Sequence, residues 1–294
     1  MKPARNPARR NRNGGTVKHG RGQDNKLVVP DHWPHTGRVF CEEISPCVRV
    51  VRDIGARTMM FLVQRVRPGW FYPCTVEDIC AVLRHLPPEE TGKIGFVVLR
   101  QPTRKQRILS PVWGRTVFSF APDFEANRGG DEAHGGPAVV LEAQCLQPFK
   151  WDKSMTPDRR REFERLQQDG HLIADSNHHF FIMQPDEASL RRTQLYRTLL
   201  HEIGHHLDYH IHGEAGWKTR TALQREDFAH RYAAEAYAAL EEAGVVPFFP
   251  LFDAAEMLRE GLNPDDFLPP AHAPAEFPES FGFADETPVQ NPVA

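Results

Sequence analysis

Apolar positions divide the chain into a polar head, a patterned middle and a proline-rich acidic end. Folded structure is expected to begin near Trp33, with strands over 39–44 and 57–66, where aliphatic and β-branched residues cluster. After Pro73, Thr75 caps a predicted helix whose apolar positions Val76, Ile79, Cys80, Leu83 and Leu86 recur at helical spacing, and Pro87-Pro88 stops it. Residues 94–99 read as a buried strand. Strands are also predicted over 112–120 and 138–143, with the Gly-rich stretch 128–136 looping between them. A short helix fits 157–168, with Thr156 as cap, Pro157 in its first position and Gly170 at its end. One more strand is expected over 179–183. Two helices follow, roughly 187–209 and 221–243, the second ended by Gly244. This order of elements is that of an α+β domain.

Charge and composition set the limits of that domain. Residues 1–30 carry Lys2, Arg5, Arg9, Arg10, Arg12, Lys18 and Arg21 before the first acidic residue, Asp24, and have almost no aliphatic side chains. Such a segment cannot bury enough apolar surface to offset its ordering entropy, so it reads as a disordered basic tail. Residues 263–294 are rich in Pro, Asp and Glu, and no Lys or Arg follows Arg259, so they read as a mostly disordered acidic tail. The expected domain is 31–262. A net charge of −3 excludes the whole molecule as an electrostatic partner of nucleic acid, although the basic tail leaves that contact open. Five cysteines without a C-x-x-C pair argue against a disulfide framework and suit a reducing compartment. No apolar run reaches the ~18 residues of a membrane span, so the cytoplasm is the expected location, with no membrane partner.

The candidate chemistry lies in LYRTLLHEIGHHLDYH, residues 195–210, which hold four histidines and the pattern H-E-x-x-H. On a helix, residues four apart share a face, so His201 and His205 can both reach one zinc ion. Glu202 then stands beside the open position, where it can take a proton from bound water. Tyr196, Leu199, Leu200, Ile203 and Leu207 form one apolar stripe, with His201, His205, Asp208 and His212 on the other side. A solvated polar face would segregate in the same way. Gly204 costs ~1 kcal/mol against Ala on a helix, which a close neighbour such as a substrate or packed strand would explain. His206 and His210 are expected to face solvent.

Residues 226–233 read EDFAHRYA. H-E-x-G-H followed by E-x-x-A-x-x-aromatic-A resembles the gluzincin zinc metallopeptidases, including compact cytosolic kinds and lethal-factor-type toxin proteases, over about residues 196–240. The resemblance implies a zincin-like fold: a mixed twisted sheet, a metal-bearing helix, and a following helix that supplies the third ligand. That ligand would be Glu226, with Glu235 as its rival. Many gluzincins have Asp four residues after this Glu to orient a zinc-bound imidazole; here the position is His230, with Asp208 as the alternative. The implied activity is hydrolysis of peptide bonds, with one zinc per chain, Glu202 as general base, and a peptide or protein as substrate. The expected oxyanion donor is one of Tyr209, Tyr232, His178 and His179, and either the strand before the active helix or an earlier edge strand such as 112–120 could align an extended peptide. Two alternatives are a proteolytic regulator whose basic tail binds nucleic acid, and a non-catalytic protein with a structural zinc site.

Overall fold

The computed structural model describes residues 46–104, 107, 112–120, 135–175 and 178–270. The strand expected at 39–44, the basic tail and most of the Gly-rich loop lie outside the described residues.

The chain is a mixed α+β structure built on a mixed five-stranded sheet of order β1-β2-β3-β5-β4. β1 (Cys47–Ile54) and β2 (Arg57–Gln64) form an antiparallel hairpin. Its turn uses Gly55 at φ 62°, the left-handed conformation that a two-residue hairpin loop demands. β3 (Phe96–Arg100) runs parallel to β2, β5 (Gly136–Glu142) runs parallel to β3, and β4 (Gly114–Phe120) closes the edge antiparallel to β5. Side chains alternate across the sheet. Phe61 and Val63, Val97 and Leu99, and Val139 and Leu141 therefore share one face with α1 (Val76–Leu83) and with Leu195, Leu199, Leu200 and Ile203 of the long helix. Leu62, Val98 and Val140 are buried on the opposite face, which is why these central strands read as unbroken apolar runs.

α1 starts where Thr75 accepts from the Asp78 amide and Asp78 caps the Thr75 amide in return, a reciprocal capping box. α2 (Pro88–Thr91) is a single turn that the sequence reading did not anticipate. A smaller antiparallel sheet of order β6-β8-β7 combines β6 (Phe149–Asp152), β7 (Leu172–Asp175) and β8 (Phe180–Gln184). α3 (Pro157–Gln168) packs on it through Phe163 and Leu166. α3 begins and ends as its sequence requires: Thr156 caps it, Pro157 opens it, and Gly170 at φ 97° follows its close. β1, β6 and β7 had no counterpart in the sequence reading.

The long helix is compound. α4 (Glu187–Arg191) runs into a π-helical stretch, Arg192–Thr198, and then into α5 (Leu199–Thr219), which is kinked at Gly213 (φ 65°). The Leu199 amide donates to Gln194 O, the i−5 pattern that defines a π turn. α6 (Ala222–Glu242) has the capping box Thr221–Gln224 and ends before Gly244. α7 (Ala254–Arg259) follows. No helix among the described residues is long and apolar enough to cross a membrane. Cys47, Cys74, Cys80 and Cys145 are free thiols.

The expected tail boundary at 262/263 is corrected by a 3-10 turn at Pro264–Phe267. Phe267 is buried in the main core, its ring 5.6 Å from that of Tyr72, and the Tyr72 amide donates to Asp266 O at 2.8 Å. Acidic and proline-rich composition concealed one apolar anchor. Phe267→Ala should destabilise the fold by roughly 3–5 kcal/mol, whereas Phe249→Ala, at a side chain 93% exposed, should change little. Chemical denaturation of the two variants distinguishes these expectations.

Among the described residues, His171 and His206 are buried as neutral rings. Burial holds His171 and His206 at about 4, against an ordinary value of 6.5. Their ring nitrogens meet Thr193 Oγ1 at 2.9 Å and Ala138 O at 3.0 Å. Between about pH 6.5 and 4 the unfolded chain binds protons that the folded chain refuses. This contribution to stability is therefore complete above 6.5 and falls as pH drops toward 4. The urea midpoint should decrease from pH 7.5 to 4.5, with part of that slope removed by His171→Gln. A flat profile would contradict the neutral burial of both rings.

Candidate active site

α5 and α6 bring the site together because each yields at one position. A Cβ on Gly204 would lie 2.9 Å from Ala229 Cα and 3.2 Å from Ala229 O. The glycine thus lets the two helix backbones touch one turn beyond Glu226. The close neighbour expected at Gly204 is neither a strand nor a substrate; it is the helix carrying the candidate third ligand. Gly204→Ala should destabilise the protein by about 1–3 kcal/mol through overpacking, despite alanine's ~1 kcal/mol advantage in helices. A more stable variant in thermal unfolding would mean that the helices do not meet there.

Across this contact, three ligand-type side chains converge. His201 Nε2 and His205 Nε2 are 3.1 Å apart, Glu226 Oε2 is 3.3 Å from the first, and Glu226 Oε1 is 3.5 Å from the second. Both Nδ1 atoms are buried without a hydrogen-bond partner among the described residues. The His201 bond, above all, holds the Glu226 carboxyl at about 2. Burial, followed by repulsion from His201, pushes His205 down to about 4. Glu235 is on the exposed side of α6, its carboxylate 3.9 Å from Arg231.

His230 also belongs to this cluster. It groups with His201 and Glu226 within 4.8 Å, and its ring packs 4.2 Å from that of His201. This looser trio differs from the tighter triangle of His201, His205 and Glu226. The hydrogen bonding decides between them: Arg165 Nη1 donates to His230 Nε2 at 2.9 Å, so that lone pair is occupied, and Nε2 is 3.9 Å from Glu226. Burial, with repulsion from His201 and Arg165, lowers His230 to about 3 and keeps it neutral. His230 accepts from Arg165 while the His201 Nδ1 has no partner, so its contact with His201 is one of packing.

Glu202 faces the opposite wall, strand β4. Its Oε2 accepts from Thr116 Oγ1 at 2.7 Å, and burial pushes its carboxyl above the usual glutamate range. A cavity of about 730 Å³ runs past Glu202, His201, His205, Glu226 and His230, with aromatic walls from Trp113, Phe118, Trp151 and Trp217.

Several sequence-based roles change. His206 is buried, not solvent-facing: it bonds Ala138 O and meets the edge of Phe118 at 5.4 Å. Asp208 is fully buried but holds His212 at 3.3 Å and Arg220 at 3.2 Å across the Gly213 kink, so it does not orient His205. His210 is exposed, as expected. Among the oxyanion candidates, the Tyr232 hydroxyl is taken by Glu90 at 2.6 Å and the Tyr209 ring stacks on Phe118 at 4.3 Å, while His178 and His179 are exposed beside β8. Thr116 and Arg165 were not singled out from the sequence. Their partners are 86 and 65 residues away, and no local pattern encodes such pairings.

No family model matches the chain, and no curated protein or solved structure matches it.

Proposed function

We propose that His201, His205 and Glu226 hold one zinc ion and that the protein hydrolyses peptide bonds as a gluzincin-type metallopeptidase with a zincin-like domain. The observation that carries this reading is the convergence of two imidazole nitrogens on one carboxylate. The separations, 3.1 Å between the two Nε2 atoms, 3.3 Å from His201 Nε2 to Glu226 Oε2 and 3.5 Å from His205 Nε2 to Glu226 Oε1, are close to the roughly 3.3–3.4 Å between neighbouring ligands of a tetrahedral ion bonded at ~2.0–2.1 Å. Two imidazoles and a carboxylate are zinc-type donors. The low values of His205 and Glu226 leave that ring neutral and that carboxylate ionised at pH 7, the forms that bind metal. The resemblance of H-E-x-G-H and E-x-x-A-x-x-Y-A to gluzincins supports the same assignment.

A closed structural site needs a fourth protein donor. His230 is the candidate, but its Nε2 is engaged by Arg165, which favours an open and therefore catalytic site. Zinc, when bound, supplies a Lewis acid that acidifies water and polarises a carbonyl. The chain's own base is Glu202. Its raised pKa suits it to take a proton from the attacking water and return it to the leaving amine. The aromatic walls of the cleft accommodate a peptide with apolar side chains beside the scissile bond.

The wild-type protein should carry about one zinc per chain by elemental analysis. His205→Ala and Glu226→Ala should lose most of it, and Glu235→Ala should keep it. Glu202→Gln should retain zinc and lose at least ~10²-fold in peptide hydrolysis. Zinc-free wild-type protein, or undiminished zinc in both ligand variants, would end the metallopeptidase reading.

A further inference from the structure

β4 and α5 are locked in register along three successive contacts. Gly114, Thr116 and Phe118 share one face of the strand and line the cleft. Thr198, Glu202 and His206 follow one another at four-residue spacing on the helix. A Cβ on Gly114 would lie 2.6 Å from Thr198 Cγ2 and 3.4 Å from Glu202 Cγ. Thr116 Oγ1 is 2.7 Å from Glu202 Oε2, and the Phe118 ring is 5.4 Å from that of His206. From Gly114 to Thr116 the strand advances about 6.8 Å and four helix residues advance about 6.0 Å, so the two rows stay in step there, ahead of the register shift of β4 between Val117 and Phe120. Thr116 is thereby fixed opposite Glu202 from both sides.

From this register we infer that Thr116 is a positioning residue that holds Oε2 of Glu202 and leaves Oε1 as the oxygen that accepts the proton of the attacking water. The inference rests on the metallopeptidase reading given above. The Thr116 hydroxyl has one proton and two acceptors in reach, Oε2 at 2.7 Å and the Glu202 carbonyl at 2.9 Å. That carbonyl already serves the helix ladder, and the carboxylate is the shorter and charged partner, so the proton goes to Oε2. The terminal torsion of a glutamate is broad and nearly two-fold. Without a partner the two oxygens would exchange places; with Thr116 one of them is fixed before substrate arrives, which is preorganisation of the base. Gly114 belongs to the same device, because any side chain there would push the strand off the helix and lengthen this bond.

The test compares Thr116→Val, Thr116→Ala and Thr116→Ser in the full-length chain, with zinc content and thermal unfolding measured for each. Val keeps the shape and removes the donor, Ala serves if Val disturbs packing, and Ser restores the donor. Expected are wild-type zinc in all three, an unchanged KM, and a kcat reduced about 10-fold in Val and Ala, the order of one hydrogen bond to a charged group, with recovery in Ser. A second readout is binding of acetohydroxamate, which chelates zinc and hands its proton to the neighbouring carboxylate; its affinity should fall about fivefold in Val and Ala only. Wild-type kcat and hydroxamate affinity in Val and Ala, a loss confined to KM, or a Ser variant as impaired as Val would overturn the role of Thr116 while leaving the zinc site standing. Wild-type protein without zinc, or with zinc and no hydrolysis, defeats the metallopeptidase reading and this inference with it.

Discussion

The contact on which the site depends is the approach of two helix backbones at Gly204 and Ala229. A missing side chain sets the distance: the space a Cβ would need at residue 204 is filled by Ala229. Interior packing is dense enough that a methyl group there has nowhere to go. Because Glu226 precedes Ala229 by three residues and His205 follows Gly204 directly, that distance also fixes how closely the carboxylate meets both imidazoles. On the other flank Gly114 has the same function for strand β4. The metal-type cluster and the carboxylate beside it are thus consequences of two close approaches to a single helix.

Buried ionic networks fix where that helix sits against the sheet. Arg100 and Glu142, both almost fully buried, pair on adjacent strands, with Arg115 reaching the same carboxylate at 3.1 Å. Gln194, in the π-helical stretch, donates to Glu142 O at 2.6 Å and to Trp113 O at 3.3 Å. Farther along, Asp78 of α1 pairs with Arg191 and also accepts from the Leu251 amide at 2.8 Å. Charges this deep carry a desolvation cost that ordinary apolar side chains avoid, and breaking either pair would strand a charge. Both networks tie the helix to other elements just upstream of His201, and the wider π turn is where Gln194 reaches the strands.

Much of this was legible from sequence where the determinants are local. Thr75 and Thr156 each signalled a helix start through a side chain and an amide three residues apart. The apolar stripe from Tyr196 to Leu207 faces the core as its spacing requires. The link between residues 226–233 and the histidine motif came from a pattern, and the structure brings Glu226 to both imidazoles. What stayed hidden is non-local or compositionally disguised. His206 looked polar on a helical wheel, yet a carbonyl on a strand 68 residues earlier satisfies it inside the fold. β1 and β6 mix charged residues with their apolar ones, and β7 is only four residues long. Phe267 is surrounded by acids and prolines that suggest solvent.

The parts of the site differ in contact order. His201, His205 and Glu226 lie within 26 positions of one another on two consecutive helices, a helical hairpin that can form early and reopen late. Thr116, the partner of Glu202, comes from an edge strand 86 residues away. Peripheral elements open at lower free energies than core ones, and β4 is an edge strand of its sheet. Opening of β4 would then leave His201, His205 and Glu226 together while freeing the Glu202 carboxylate. On the proposed zinc-site reading, ion retention and catalytic competence would be lost in separate steps, so a partly unfolded molecule could keep the first without the second.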